Sequence, residues 1–182
     1  MYLVWATAMS MDGRIADPDD SLDFLSTIGE GYGHADLFKD FLAGLDGVVI
    51  GATTMRWLLD GGHGWPHDDL PTWLVSHDAG LVERIGQTRA PLVRAEGDLA
   101  RMFDEIDEAV DGRVWLCGGG DLAGQALALD RIDEVAVTIA PTVLGAGASL
   151  FEALGLEQRR FTLNEAYDGG GDAAIVTWLR QR

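Results

Sequence analysis

Val114-Trp115-Leu116-Cys117-Gly118-Gly119-Gly120-Asp121-Leu122 is the stretch from which the fold can be read. A short apolar run of strand length ends in three glycines, and a segment of helical character follows over 121–129. Glycines at such a corner let backbone amides approach an anion while the helix N-terminus adds partial positive charge, which is how a dinucleotide pyrophosphate is held. The same residues also suit a tight strand-to-helix turn in which glycine is needed for sterics alone. Gly118, Gly120 and Gly124 do not give the spacing GxGxxG, because the third glycine falls one residue late.

Asp46-Gly47-Val48-Val49-Ile50-Gly51 repeats the arrangement upstream, a β-branched run closed by glycine. A helix through residue 59 follows it, with Thr53 or Thr54 as the expected cap. Two such strand ends side by side would form a ligand crevice. Further short strands are predicted over 3–9, 72–75 and 91–93. Helical spacing marks Leu37, Phe38, Phe41 and Leu42, stopped by Gly44, and again Leu99, Met102, Phe103, Ile106 and Val110, with Asp98 as cap. Residues 21–33 read as irregular and 60–70 as a loop. Three more strands are expected over 132–139, 161–167 and 174–179, the last two joined around Asp168-Gly169-Gly170-Gly171-Asp172. The prediction is a single α/β domain over 1–182, a three-layer fold with a mostly parallel mixed sheet, helices on both faces and a C-terminal antiparallel hairpin.

Composition narrows the function. The chain has 182 residues, 47% hydrophobic, with 13 basic and 30 acidic side chains and a formal net charge of −17. Nucleic-acid binding is excluded by the missing positive footprint. The single cysteine, Cys117, rules out an internal disulfide framework. No apolar stretch approaches 18 residues and no basic region precedes the N-terminal apolar run, so neither a membrane span nor a signal peptide is expected, and a cytoplasmic location is. His63 and His67 stand four apart beside Asp68 and Asp69, but Gly64 and Pro66 break the helix that would align them, so no metal site is predicted. Six scattered tryptophans make no stacking platform, although Trp5 and Trp57 are candidates to line a cleft.

Five blocks together resemble the dihydrofolate reductase-like family: 6–16, with Ser10-Met11-Asp12-Gly13-Arg14-Ile15; Val49-Ile50-Gly51-Ala52-Thr53-Thr54; Leu74-Val75-Ser76-His77; 116–122; and 132–147, with Ala140-Pro141-Thr142-Val143-Leu144-Gly145. The likeness is to stand-alone relatives of the C-terminal reductase domain of the bifunctional riboflavin-biosynthesis deaminase-reductase. It implies a nicotinamide coenzyme, NADPH in the usual case with NADH as the alternative, across the carboxyl ends of the strands. Gly118, Gly119 and Gly120 would hold the pyrophosphate, with Asp121, Leu122 and Gln125 nearby. Gly51, Thr53 and Thr54 would hold phosphate, Ser76 and His77 would lie by the adenosine ribose, and Ala6, Ala8 and Ile15 would flank the nicotinamide.

The resemblance also supplies two catalytic candidates. Asp36 matches a carboxylate that binds a pterin ring and assists proton delivery, and Asp12 is a candidate polar contact to substrate whose alternative role is to form the Asp12-Gly13 turn. The activity implied is hydride transfer to a small planar heterocycle, pterin- or pyrimidine-like; a ligand-binding regulatory module without turnover and an authentic dihydrofolate reductase are the alternatives. A homodimer is the family-level expectation, covering an apolar edge at 132–139 and 174–179. Two departures stand out. Where family members often carry basic residues, this chain has Ala52, Thr53 and His77, leaving Arg56, and His77 only in its protonated form, as cations near a 2′-phosphate. Cys117 replaces a glutamate typical of the riboflavin-pathway reductases, which argues against riboflavin synthesis itself.

Overall fold

The computed structural model describes residues 1–28, 34–95, 97–152, 157–170 and 172–180, with the backbone alone at 27, 34–37 and 170. The elements run β1 (Tyr2–Ser10), a 3-10 helix (Asp23–Ile28), α1 (His34–Ala43), β2 (Gly47–Gly51), α2 (Ala52–Asp60), β3 (Thr72–Val75), α3 (Gly80–Ile85), β4 (Leu92–Ala95), α4 (Leu99–Ala109), β5 (Arg113–Cys117), α5 (Gly120–Ala128), β6 (Glu134–Ala140), β7 (Phe161–Gly170) and β8 (Ala173–Arg180). Packing groups them into two units, Met1–Leu3 with Leu45–Gly118, and Val4–Gly44 with Gly119–Arg182.

In the first unit β4, β3, β2 and β5 lie side by side and all parallel. Val48, Val49 and Ile50 have no accessible surface, so β2 is covered on both faces, which is why its sequence is a continuous apolar run rather than an alternation. The chain steps outward from β2 to β3 to β4, then returns to the other side of β2 as β5. Right-handed crossovers therefore put α4 on the face opposite α2 and α3, and the neighbours β2 and β5 mark a switch point. Met102, Phe103 and Ile106 are the buried stripe of α4, and Asp98 caps that helix by accepting from the Ala100 amide at 2.9 Å. β4 is displaced toward residue 95 relative to the expected 91–93, because its register is set by pairing with β3, Thr72↔Leu92 through Val75↔Ala95.

In the second unit β1 pairs parallel with β6, from Val4↔Glu134 to Ser10↔Ala140. β8 lies antiparallel to both β6 and β7. The strands over 132–139 and 174–179 were expected to form an open edge; instead β8 covers β6, and β7 covers β8. The exposed strand is β7, where Leu163 is 58% and Tyr167 37% accessible. Phe24 and Ile28 of the 3-10 helix pack with Ala140 and Ala173.

After β1, the chain zips to 142–150: the Met11 amide donates to Thr142 O at 2.7 Å, Ile15 to Ala148 O at 2.9 Å, and Leu150 to Gly13 O at 3.0 Å. Arg14 donates to Gly147 O at 3.1 Å and to Ser149 Oγ at 2.7 Å. Gly147 has φ +115, and a Cβ there would stand 2.1 Å from Ala16 O, whereas Gly145, at φ +77, has open space around its Cβ position. Gly145→Ala is expected to lose about 1–2 kcal/mol from backbone strain, and Gly147→Ala roughly 3 kcal/mol or more from strain plus the clash. Equal losses in denaturant unfolding would show that the close approach is relieved without cost.

Candidate functional site

Strand register builds one cluster. Gly51 is level with Val75 across β2 and β3, and Ile50 with Cys117 across β2 and β5, so Gly51, Ser76 and Gly118 lie together at the carboxyl ends of neighbouring strands. α2 begins at once from Gly51, which is extended (φ −81, ψ 154) and offers no side-chain cap. Thr53 and Thr54 were expected as caps; they stand inside the first turn instead, Thr53 exposed and Thr54 half-buried. Glycine has taken the capping position because the strand runs into the helix without a connecting residue. The first-turn amides of α2 are thus left by side chains, unlike those of α4, and the helix dipole favours an anion there.

Past β3, Ser76 is 4% accessible. Its Oγ accepts from the Asp78 amide at 3.0 Å, and its carbonyl accepts from Arg94 at 3.3 Å. Asp78 Oδ1 accepts from the Gly80 amide at 3.0 Å, and Oδ2 meets Arg56 at 3.3 Å. His77 is exposed. Sequence reading passed over Asp78 and Arg94, although an acid just beyond the strand that follows a glycine-closed βα turn is itself a signal for ribose binding.

In the second unit β1 changes character along its length. Leu3, Val4 and Trp5 are inaccessible, but Ala6, Thr7, Ala8 and Met9 are only half-buried despite pairing with β6. Trp5 packs against Phe151 with centroids 4.6 Å apart, so it is a core residue and lines no cleft. Trp57 is 42% exposed and stacks on His63. Ile15 is half-buried in the zipped loop.

The glycine corner divides by role. A Cβ on Gly120 would lie 2.2 Å from Ser149 O and 2.8 Å from Leu150 O, so this glycine is required for close backbone approach. A Cβ on Gly119 would meet nothing within 4 Å, and Gly119 starts α5 from an extended conformation with no side-chain cap. The open side of Gly119 and the first turn of α5, which has no side-chain cap, suit an anion held by backbone amides. In α5, Leu122 is buried, and Gln125 donates to Asp121 at 2.8 Å on the exposed face.

The acids differ. Asp12 accepts from Ser10 Oγ at 2.6 Å and from the Leu144 and Gly145 amides at 3.0 and 2.7 Å, which holds its pKa down at about 2. Its carboxylate therefore braces two loops, and the Ser10 to Gly13 turn closes beside it. Asp36 is the third residue of α1, and its side chain lies outside the described residues. Burial between Trp65 and Trp115 pushes the His67 pKa down, against the pull of Asp69. Burial pushes the Cys117 thiol up to about 12 although part of the residue reaches the surface, so it is no ready nucleophile. Among the described residues no three His, Cys, Asp or Glu side chains gather to hold a metal, and no helix is long and apolar enough to cross a membrane.

A family profile described as the RibD C-terminal domain matches residues 1–175. The chain belongs to the RibD C-terminal domain family. An uncharacterized protein of Bacillus subtilis, YwjB, is 30% identical over 148 residues, covering 81% of this chain and 80% of that one. Two solved structures share the fold: a putative riboflavin biosynthesis protein from Shewanella (TM-score 0.83, 24% identity, 100% of both chains) and a pyrimidine reductase-like protein from Corynebacterium diphtheriae (TM-score 0.73, 16% identity, 100% of this chain and 92% of that one). The α/β architecture is the dihydrofolate reductase-like fold seen in this RibD C-terminal group.

Because the folded pKa of Asp12 is depressed, its stabilising contribution is present above the unfolded value near 4 and is lost as pH falls toward 2. The difference in Tm between the parent and Asp12→Ala is expected to stay constant above pH 5 and to shrink between pH 4 and 2, about the range of the two pKa values. A difference that does not change with pH would show that the brace is not ionic.

Proposed function

We propose that this RibD C-terminal domain is an NAD(P)H-dependent oxidoreductase acting on a small planar heterocycle of the pyrimidine or pterin class. The observation that carries the reading is that α2 and α5, which follow the neighbouring strands β2 and β5, each start at a glycine with no side-chain cap. Membership of the family and likeness to the pyrimidine reductase-like protein of Corynebacterium diphtheriae support the same substrate class. When bound, the coenzyme would supply hydride.

The chain's part is binding, orientation and proton delivery. Gly118, Gly119 and Gly120 would hold the pyrophosphate through backbone amides, and Gly51, Thr53 and Thr54 at the start of α2 would hold phosphate. Asp121, Leu122 and Gln125 of α5 would lie near that pyrophosphate. Ser76 and His77 would meet the adenosine ribose. Ala6, Ala8 and Ile15 would flank the nicotinamide, where small side chains on β1 leave room for a ring. Asp36 would give a proton to a substrate ring nitrogen. Asp12 is assigned to holding the loop, because both of its carboxylate oxygens already accept hydrogen bonds within the chain.

Gly119→Ala separates binding from folding. It is expected to leave Tm within about 2 °C, since the new methyl meets no protein atom, yet to weaken NADPH and NADH binding at least about tenfold. Unchanged binding would remove the diphosphate from this corner. Asp36→Asn is expected to lower turnover of a pterin or pyrimidine substrate at least about tenfold with coenzyme affinity retained. An unaffected rate would retire Asp36 as the proton donor, and coenzyme binding with no turnover of any such ring would make the domain a binding module.

A further inference from the structure

We propose that Asp78 turns the coenzyme preference toward NADH by occupying Arg56, an inference that rests on the coenzyme reading above. In a strand-helix-strand unit whose first helix receives the diphosphate, the adenosine ribose reaches the end of the second strand. An acid there accepts from the ribose hydroxyls, whereas a guanidinium there receives a 2′-phosphate. In this chain that unit is β2, α2 and β3, and the residues beyond Val75 are Ser76, His77 and Asp78.

Asp78 is held in place from two sides. Its amide donates to the buried Ser76 Oγ at 3.0 Å, and its Oδ1 accepts from the Gly80 amide at 3.0 Å. Oδ2 is left to meet Arg56 at 3.3 Å, with both side chains close to half exposed, 43% and 47%. The neighbouring arginines are committed as well. Arg94 donates to the Ser76 carbonyl at 3.3 Å, and Arg84 pairs with Asp60 at 2.6 Å. The chain's one lysine, Lys39, belongs to α1.

A 2′-phosphate would thus meet an Arg56 already neutralised and a carboxylate that repels it. The two hydroxyls of an NADH ribose would instead find Asp78 as an acceptor. Because the pair is partly exposed and screened, the discrimination is expected to be about tenfold rather than a thousandfold.

The test titrates NADH and NADPH into the parent, Asp78→Asn and the double variant Asp78→Asn with Arg56→Ala, following tryptophan fluorescence or heat, with Tm checked for each. The parent is expected to bind NADH at least as tightly as NADPH. Asp78→Asn should move the ratio of dissociation constants toward NADPH by about tenfold, and adding Arg56→Ala should abolish that gain. A parent that prefers NADPH more than about tenfold, or a ratio unmoved by Asp78→Asn while both coenzymes bind, overturns the role of Asp78 alone. If neither NADH nor NADPH binds the parent, the coenzyme reading is overturned and this inference with it.

Discussion

α5 begins with its backbone pressed on the backbone of Ser149 and Leu150, and Gly120 is the only kind of residue that allows it. A side chain there would displace two carbonyls, one of them 2.2 Å from the Cβ position. The contact is tightened by the Glu152 amide, which donates to Gly120 O. With the helix start fixed in this way, Gly119 directly before it keeps an open side. The same logic governs α2, which springs from Gly51 at the end of β2. A Ser, Thr, Asp or Asn cap stabilises a helix by about 1 kcal/mol, and α4 has one in Asp98. That α2 and α5 forgo it is coherent if their first-turn amides serve a ligand.

A second constraint shapes the loop after β1. Asp12 reaches the Leu144 and Gly145 amides, Arg14 reaches Gly147 and Ser149, and Gly147 fits against Ala16 with a φ that other residues rarely adopt. The order of this loop is therefore built from charge-assisted bonds and one obligatory glycine rather than from an apolar core. The loop is thus held by contacts within the chain, and in β1 the half-buried Ala6 and Ala8 contribute small side chains.

Most elements were legible because period and punctuation agree. β2 and β5 announced themselves as unbroken apolar runs, and α4 by its buried stripe and aspartate cap. α3 carries only Leu81 into the core and so has no period to read. The identity of the edge strand was not legible, since β6, β7 and β8 alternate alike and only pairing decides which is left outside. At the site, three successive glycines looked equivalent in sequence, but their surroundings separate Gly120 from Gly119. Trp5 looked like a cleft residue for want of any sign of its partner, Phe151, far along the chain. The Asp12 brace was legible only as a turn, because its two amide donors come from residues more than a hundred positions away.

The strong negative charge of the chain is not in conflict with an anionic ligand. At physiological salt, charges farther than about 8 Å apart are largely screened. A net charge of −17 spread over the sequence thus slows the approach of an anion more than it weakens the bound state. What an anion bound as proposed would meet is local: helix-end amides that require no lysine, and a glycine with an open side. On the proposed reading, a chain with one lysine can thus suit a nucleotide. It also concentrates the remaining electrostatic choice on the few ionised groups at the strand ends, where Arg56 and Asp78 face each other.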